Sequence, residues 1–135
     1  MAASVLIVED NTLLREVMAL ALAGAGYEAV ISDGRDALAT ARSSQPGLIL
    51  LDLVLPGVNG VEVCRQLRAN VHTREIPIIV ITGGTVPDGM DIVDVLSKPF
   101  PIQALLTRVN RRIVDDASSE RVQNDSEGRV STLVR

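Results

Sequence analysis

Five polar residues stand where apolar runs stop. Glu9 and Asp10 follow Val5-Leu6-Ile7-Val8, Asp52 follows Leu48-Ile49-Leu50-Leu51, Thr82 closes the run from Ile76 to Ile81, and Lys98 comes just after the run from Val93 to Leu96. Gathered in one crevice they would supply three carboxylates, a hydroxyl and an ammonium. Carboxylates that close raise one another's pKa values unless a cation joins them, and a divalent metal removes the repulsion. All the donors are oxygens, which suits Mg2+, an ion that takes one or two carboxylates together with waters and a phosphoryl oxygen. Such an ion also neutralises the charge that would hold a phosphate dianion away from Asp52. The Asp52 carboxylate can then attack phosphorus as a nucleophile and form an aspartyl phosphate. Lys98 would offer its positive charge, and the Thr82 hydroxyl a hydrogen bond, to the transferred group.

This chemistry needs a fold that carries distant residues to one edge. Apolar runs of strand length alternate with helix-length amphipathic segments, the pattern of parallel βαβ units covered by helices on both faces. Strands are expected at Val5 to Val8, Glu28 to Ser32, Leu48 to Leu51, Ile76 to Ile81 and Val93 to Leu96. The unbroken apolar run at Leu48 suits the centre of the sheet. A first helix opens at Asn11 or Thr12, carries Leu13, Leu14, Val17, Met18, Ala21 and Leu22 at helical spacing, and ends at Gly24 and Gly26. A second spans Arg35 to Ser43 with Leu38 and Ala41 inward. After the loop from Leu53 to Val58, Asn59 and Glu62 have the spacing of a capping box for a third helix, with Cys64 and Leu67 on its inner side. The last runs from Pro101 or Ile102 to Val114, with Leu105, Leu106, Val109 and Ile113 on one stripe. In an open parallel sheet the functional crevice lies at the carboxyl ends of the strands, where all five residues fall.

Composition removes other classes of function. The chain has 135 residues, 47% hydrophobic and 22% charged, which describes one domain of ordinary core size. Its formal charge of −4 argues against direct nucleic-acid binding, and Tyr27 and Phe100 are its only aromatic residues, too few for a base-stacking platform. Cys64 is the single cysteine, so neither a disulfide nor a CxxC site can form within the chain, as suits a reducing compartment. Met1-Ala2-Ala3-Ser4 enters the first strand without the basic region of a signal peptide, and no stretch approaches the roughly 20 apolar residues of a membrane span. A cytoplasmic protein without membrane contact is expected.

The four motifs Val8-Glu9-Asp10-Asn11, Leu50-Leu51-Asp52 with Pro56 and Gly60 beyond it, Ile81-Thr82-Gly83 and Lys98-Pro99-Phe100 occur in order at successive strand ends. In them the chain resembles a response regulator receiver domain of two-component signalling, from about Ser4 to Val114. The resemblance implies a flavodoxin-like, doubly wound five-stranded α/β sheet of order 2-1-3-4-5. It implies Mg2+ held by Glu9, Asp10, Asp52 and the carbonyl of Val54, and phosphate accepted on Asp52 from a histidine kinase or histidine phosphotransfer protein. Thr82 and Lys98 would contact the phosphoryl group, the Lys98-Pro99 bond would be cis, and an unknown downstream protein would receive the signal. Self-association as a homodimer stays open.

Two features depart from the family. The 16 positions from Thr82 to Lys98 are several fewer than usual, and Gly83, Gly84, Pro87 and Gly89 break any helix there, so the fourth helix is expected to be short or missing. The family's switch aromatic, three residues before the lysine, is replaced by Val95. The loop from Gly83 to Asp91 is therefore the expected carrier of the signal.

Blander readings stand beside these. Glu9 and Asp10 could simply complement the positive end of the first helix, Asp52 could cap a helix, Thr82 could be an ordinary strand residue and Lys98 a surface charge. Cys64 reads as a small buried hydrophobe and His72 as a surface residue. A receiver-like scaffold that docks a partner without phosphorylation is the alternative function. An aspartyl-phosphate phosphohydrolase is disfavoured, since Val54 stands where its general acid would be. Residues 1–114 read as the domain and 115–135 as a polar tail, flexible or a linker, the alternative being a helix extension or a docking segment using Val130, Leu133 and Val134. Output would pass through protein contact, phosphate relay or further domains.

Overall fold

A computed structural model describes residues 2–125, with side chains described through 113. The elements are β1 (Ser4–Val8), α1 (Thr12–Gly24), β2 (Glu28–Ser32), α2 (Ala37–Ser44), β3 (Leu48–Asp52), β4 (Val54–Leu55), β5 (Val58–Asn59), α3 (Gly60–Ala69), β6 (Ile78–Thr82), β7 (Asp94–Ser97) and α4 (Ile102–Asp125). Five parallel strands form one sheet in the order β2-β1-β3-β6-β7, the expected doubly wound topology. Between β6 and β7 the chain forms no helix, as the cluster of breakers implied.

Strand side chains alternate between two cores. Leu6, Val8, Ile49, Leu51, Ile78 and Val80 meet Ala41 of α2 and Val63, Cys64 and Leu67 of α3 on one face. Val5, Ile7, Leu48, Leu50, Ile79 and Ile81 meet Met18 and Leu22 of α1 and Leu105 and Val109 of α4 on the other. Every residue of β3 and β6 is buried, because helices cover both sides of these central strands. No helix of the described residues is long and apolar enough to cross a membrane.

Several local expectations are corrected. Leu13 and Val17 do not face the core: they are 72% and 39% exposed, since Met18 and Leu22, one turn apart, already define the buried stripe of α1. The stretch expected as a plain loop after Asp52 contains the antiparallel pair β4-β5, turned at Gly57 with φ 68°. Only half of the capping box forms. Asn59 accepts the Val61 and Glu62 N–H groups, whereas the Glu62 carboxylate pairs with Arg65 instead of reaching back. β6 starts later than expected, at Ile78, after Pro77, which has no N–H to offer a ladder. Helix α4 continues beyond Val114, where its apolar stripe ends, to Asp125. Val130, Leu133 and Val134 lie outside the described residues.

Gly60 sets the distance between α3 and the end of β3. A Cβ there would stand 2.5 Å from Leu53 Cα and 2.7 Å from the Asp52 carbonyl oxygen, both backbone atoms that cannot move without displacing the strand end. Gly60→Ala is expected to lower the unfolding free energy by about 1–3 kcal/mol in urea titration, as other overpacked sites do. Gly24→Ala, whose Cβ meets nothing within 4 Å, should be neutral or stabilising by up to about 1 kcal/mol.

Candidate functional site

Strand register gathers the polar residues. Val8 is level with Leu51, Asp52 with Ile81, and Thr82 with Ser97, so Glu9, Asp52, Thr82 and Lys98 emerge at one edge of the sheet. The backbone reinforces this edge: Glu9 N–H donates to the Ser32 carbonyl at 3.1 Å and Lys98 N–H to the Thr82 carbonyl at 2.9 Å. The Lys98-Pro99 bond is cis, as the resemblance implied.

Lys98 Nζ lies between two buried acids, donating to Asp52 Oδ2 at 2.9 Å and to Glu9 Oε1 at 3.0 Å. The second oxygen of each acid is also held. Val54 N–H donates to Asp52 Oδ1 at 3.0 Å, and Asn11 N–H donates to Glu9 Oε2 at 3.0 Å. Glu9 is 2% and Asp52 3% exposed, so these four bonds replace most of the water both carboxylates lose. Burial nevertheless pushes the Glu9 carboxyl above its ordinary pKa; the Asn11 and Lys98 bonds oppose the rise and the Asp52 charge adds to it. For Lys98 burial works downward, but the bonds and charges of Asp52 and Glu9 together outweigh it and hold the ammonium above its usual value.

Asp10 completes the cluster from a half-buried position, and ligand oxygens of Glu9, Asp10 and Asp52 lie within 4.8 Å of one another. Asn59, not Asp52, caps α3, whereas Glu9, by accepting the Asn11 N–H at the entry to α1, also fills the helix-end role weighed for it. Thr82 is buried, but its hydroxyl is not bonded to the acids or to Lys98; Oγ1 accepts the Gly84 N–H at 3.1 Å. Val54 enters through its N–H, with its side chain turned to solvent. Cys64 is buried away from this edge and His72 is exposed.

One contributor was not foreseen from the sequence. Arg15, one turn into α1, donates from a guanidinium nitrogen to the Glu9 carbonyl at 3.2 Å and so braces the turn that presents Glu9 and Asp10. Its signal was an arginine close behind an acidic pair. Asn11, foreseen only as a cap, both accepts the Leu14 N–H and donates its own to Glu9.

A doubly wound parallel sheet bearing an acid cluster and a paired lysine at its carboxyl edge is an open α/β fold with its functional crevice where that architecture puts it. The family model described as "Response regulator receiver domain" matches residues 5–110, and the chain belongs to that family. It is 41% identical over 118 residues to the "DNA-binding response regulator MtrA" of Mycobacterium tuberculosis (strain ATCC 25618 / H37Rv), an alignment covering 81% of this chain and 50% of that protein. It is 42% identical over 114 residues to "Response regulator ArlR" of Staphylococcus saprophyticus, covering 78% of this chain and 50% of the other. The chain thus spans about half the length of these curated relatives. Among solved structures it resembles the receiver domain of sensor histidine kinase PA1611 from Pseudomonas aeruginosa PAO1, described with a magnesium ion in its active-site cleft, at TM-score 0.76 and 29% identity, covering 84% of this chain and 98% of that one. The chemotaxis protein CheY4 of Vibrio cholerae matches at TM-score 0.76 and 30% identity, covering 82% of this chain and 98% of that one.

Removing the shared cation tests the electrostatics. Lys98→Met leaves Glu9 and Asp52 facing each other with an acceptor oxygen each unpaired, and should lower the unfolding free energy by about 1–3 kcal/mol. Adding Asp52→Asn should restore part of the loss, because one of the repelling charges is gone. A double variant measured as less stable than Lys98→Met alone would contradict this account of the pocket.

Proposed function

We propose that residues 1–114 form a phosphoacceptor domain that receives a phosphoryl group on Asp52, with residues 115–135 acting as a linker. The single observation that carries this reading is the Lys98 ammonium held at hydrogen-bond distance from both Asp52 and Glu9. This pairing supports the reading because a carboxylate able to act as a nucleophile would then have beside it a cation able to bind the incoming group's oxygens.

The donor set fits Mg2+. Three carboxylates meet against one ammonium, every available ligand atom is oxygen, and Asp10 is only half-buried. Glu9, Asp10, Asp52 and the Val54 carbonyl would hold the ion; the magnesium described in the PA1611 receiver supports the choice. When bound, it would neutralise charge between the acids and the phosphate dianion.

In the proposed transfer an Asp52 carboxylate oxygen bonds to phosphorus while the bond from phosphorus to the donor breaks. From a phosphohistidine the electron pair returns to the imidazole nitrogen, which then takes a proton. Val54 N–H and Lys98 keep the Asp52 carboxylate oriented. Lys98 then turns its charge to the phosphoryl oxygens, and Thr82 donates its hydroxyl proton to one of them. A histidine kinase or histidine phosphotransfer protein is the proposed donor. Output through protein contact, not directly through nucleic acid, agrees with a net charge of −4. The compartment we infer is the cytoplasm, where such donors and ATP-derived phosphate meet.

Incubation with acetyl phosphate and Mg2+ should add one phosphoryl group to the intact mass, and Asp52→Asn should remove the addition. An unmodified parent chain would favour the docking scaffold, which needs no phosphate. Separately, Mg2+ at one hundred times its dissociation constant should stabilise the fold by about 2.7 kcal/mol, an effect that excess EDTA reverses and Asp10→Asn weakens.

A further inference from the structure

The turn that follows β2 is braced from within and pressed against the hairpin of β4 and β5. Ser32 is buried; its hydroxyl donates to Asp36 Oδ1 at 2.6 Å and accepts the Gly34 N–H at 3.0 Å. Asp36 stands just before α2 without capping it, its side chain being spent on Ser32. These bonds bring Gly34, at φ 110°, beneath the hairpin. A Cβ on Gly34 would stand 2.8 Å from Leu55 Cδ1 and 3.3 Å from Val58 Cγ1. Leu55 and Val58 face each other across the two short strands, and the next pair in the same register is Val54 with Asn59. Val54 N–H holds Asp52 Oδ1, and Asn59 caps α3. The turn is tied to the other buried acid as well, since the Ser32 carbonyl accepts the Glu9 N–H.

We propose that the turn 32–36 is a positioning element for Asp52: Gly34, seated under the Leu55–Val58 pair, fixes the height of the hairpin and so keeps the Val54 N–H on the Asp52 carboxylate. The consequence for phosphoryl transfer rests on the phosphoacceptor reading; the seating of the hairpin does not. The last torsion of an aspartate side chain is soft, so one bond leaves the carboxylate plane free to turn. Lys98 holds Oδ2 and Val54 holds Oδ1, and the two together fix the plane. Attack on phosphorus needs a carboxylate lone pair in line with the bond that breaks, and a displacement of about 1 Å can cost as much as roughly a hundredfold in rate. Glycine suits the seat on two grounds. Its positive φ costs nothing there, and a side chain would have to push aside both the buried Leu55 and the β-branched Val58, which is stiff at χ1.

Amide hydrogen exchange at Val54, followed by 1H–15N NMR on the full chain, reads the seat without phosphate. The initial rate of phosphorylation by acetyl phosphate at saturating Mg2+, followed by intact mass, reads its effect on transfer. Gly34→Ala is expected to speed Val54 exchange and to slow phosphorylation, each about tenfold. Gly26→Ala is the control for backbone strain: Gly26 has φ 96° with nothing within 4 Å of its Cβ position, and both rates should stay parental. Adding Leu55→Val to Gly34→Ala withdraws the obstructing methyl and should return both rates toward the parent. If Gly34→Ala does not fold, Asp36→Ala at an exposed side chain decides the matter. It removes the Ser32 partner and should shift both rates in the same directions, whereas Asp36→Asn, which keeps an acceptor oxygen, should not. Parental Val54 exchange in Gly34→Ala, or an equal change in Gly26→Ala, overturns the seat. Faster Val54 exchange with a parental phosphorylation rate overturns the positioning role. A parent chain that takes up no phosphate fails the phosphoacceptor reading and the effect on transfer with it, while Val54 exchange still judges the seat.

Discussion

Two buried carboxylates share one ammonium at the edge of this sheet, and much of the architecture serves to keep that arrangement in place. Glu9 and Asp52 are almost wholly withdrawn from water, which for an isolated ionised group would be prohibitive. The arrangement holds because each carboxylate oxygen has an N–H or ammonium partner. It is still unbalanced: three acids oppose one lysine, and burial lifts Glu9 above the ordinary carboxylate range. That residual negative charge is what an oxygen-seeking divalent cation would relieve. Replacing a buried ion pair by apolar residues of similar volume is often neutral or stabilising, so the pair is no evidence of a stability role by itself.

The geometry is a consequence of register. Each of the four inner strand pairings is parallel, so strand ends line up and residues dozens of positions apart become neighbours. Fine adjustment comes from short-range devices at the same edge. Gly60 permits α3 to begin against the Asp52 carbonyl, Arg15 grips the Glu9 carbonyl, and the Lys98 N–H is hung on Thr82.

The apolar runs ending in Glu9, Asp52, Thr82 and Lys98 were legible because parallel strands buried on both faces demand continuous hydrophobic sequence, and the first polar residue after such a run marks its carboxyl end. The missing helix was legible in Gly83, Gly84, Pro87 and Gly89. What escaped depended on partners far along the chain. The grip of Arg15 on Glu9, the reach of Arg68 to Asp91 and the choice of Glu62 to pair with Arg65 leave no periodic trace. The β4-β5 pair was too short to show alternation, and the α1 stripe contained more apolar residues than the sheet could cover, so pattern alone could not assign Leu13 and Val17 to solvent.

Asp52 is the carboxylate proposed to bond to phosphorus. Borohydride reduces an acyl phosphate to the alcohol, so treating the phosphorylated chain with it converts the acceptor aspartate to homoserine, which peptide sequencing by mass spectrometry locates. Homoserine at position 52 alone is the predicted result. A reduced residue at position 9 or 10, or a phosphoryl group that survives borohydride unchanged, would contradict it.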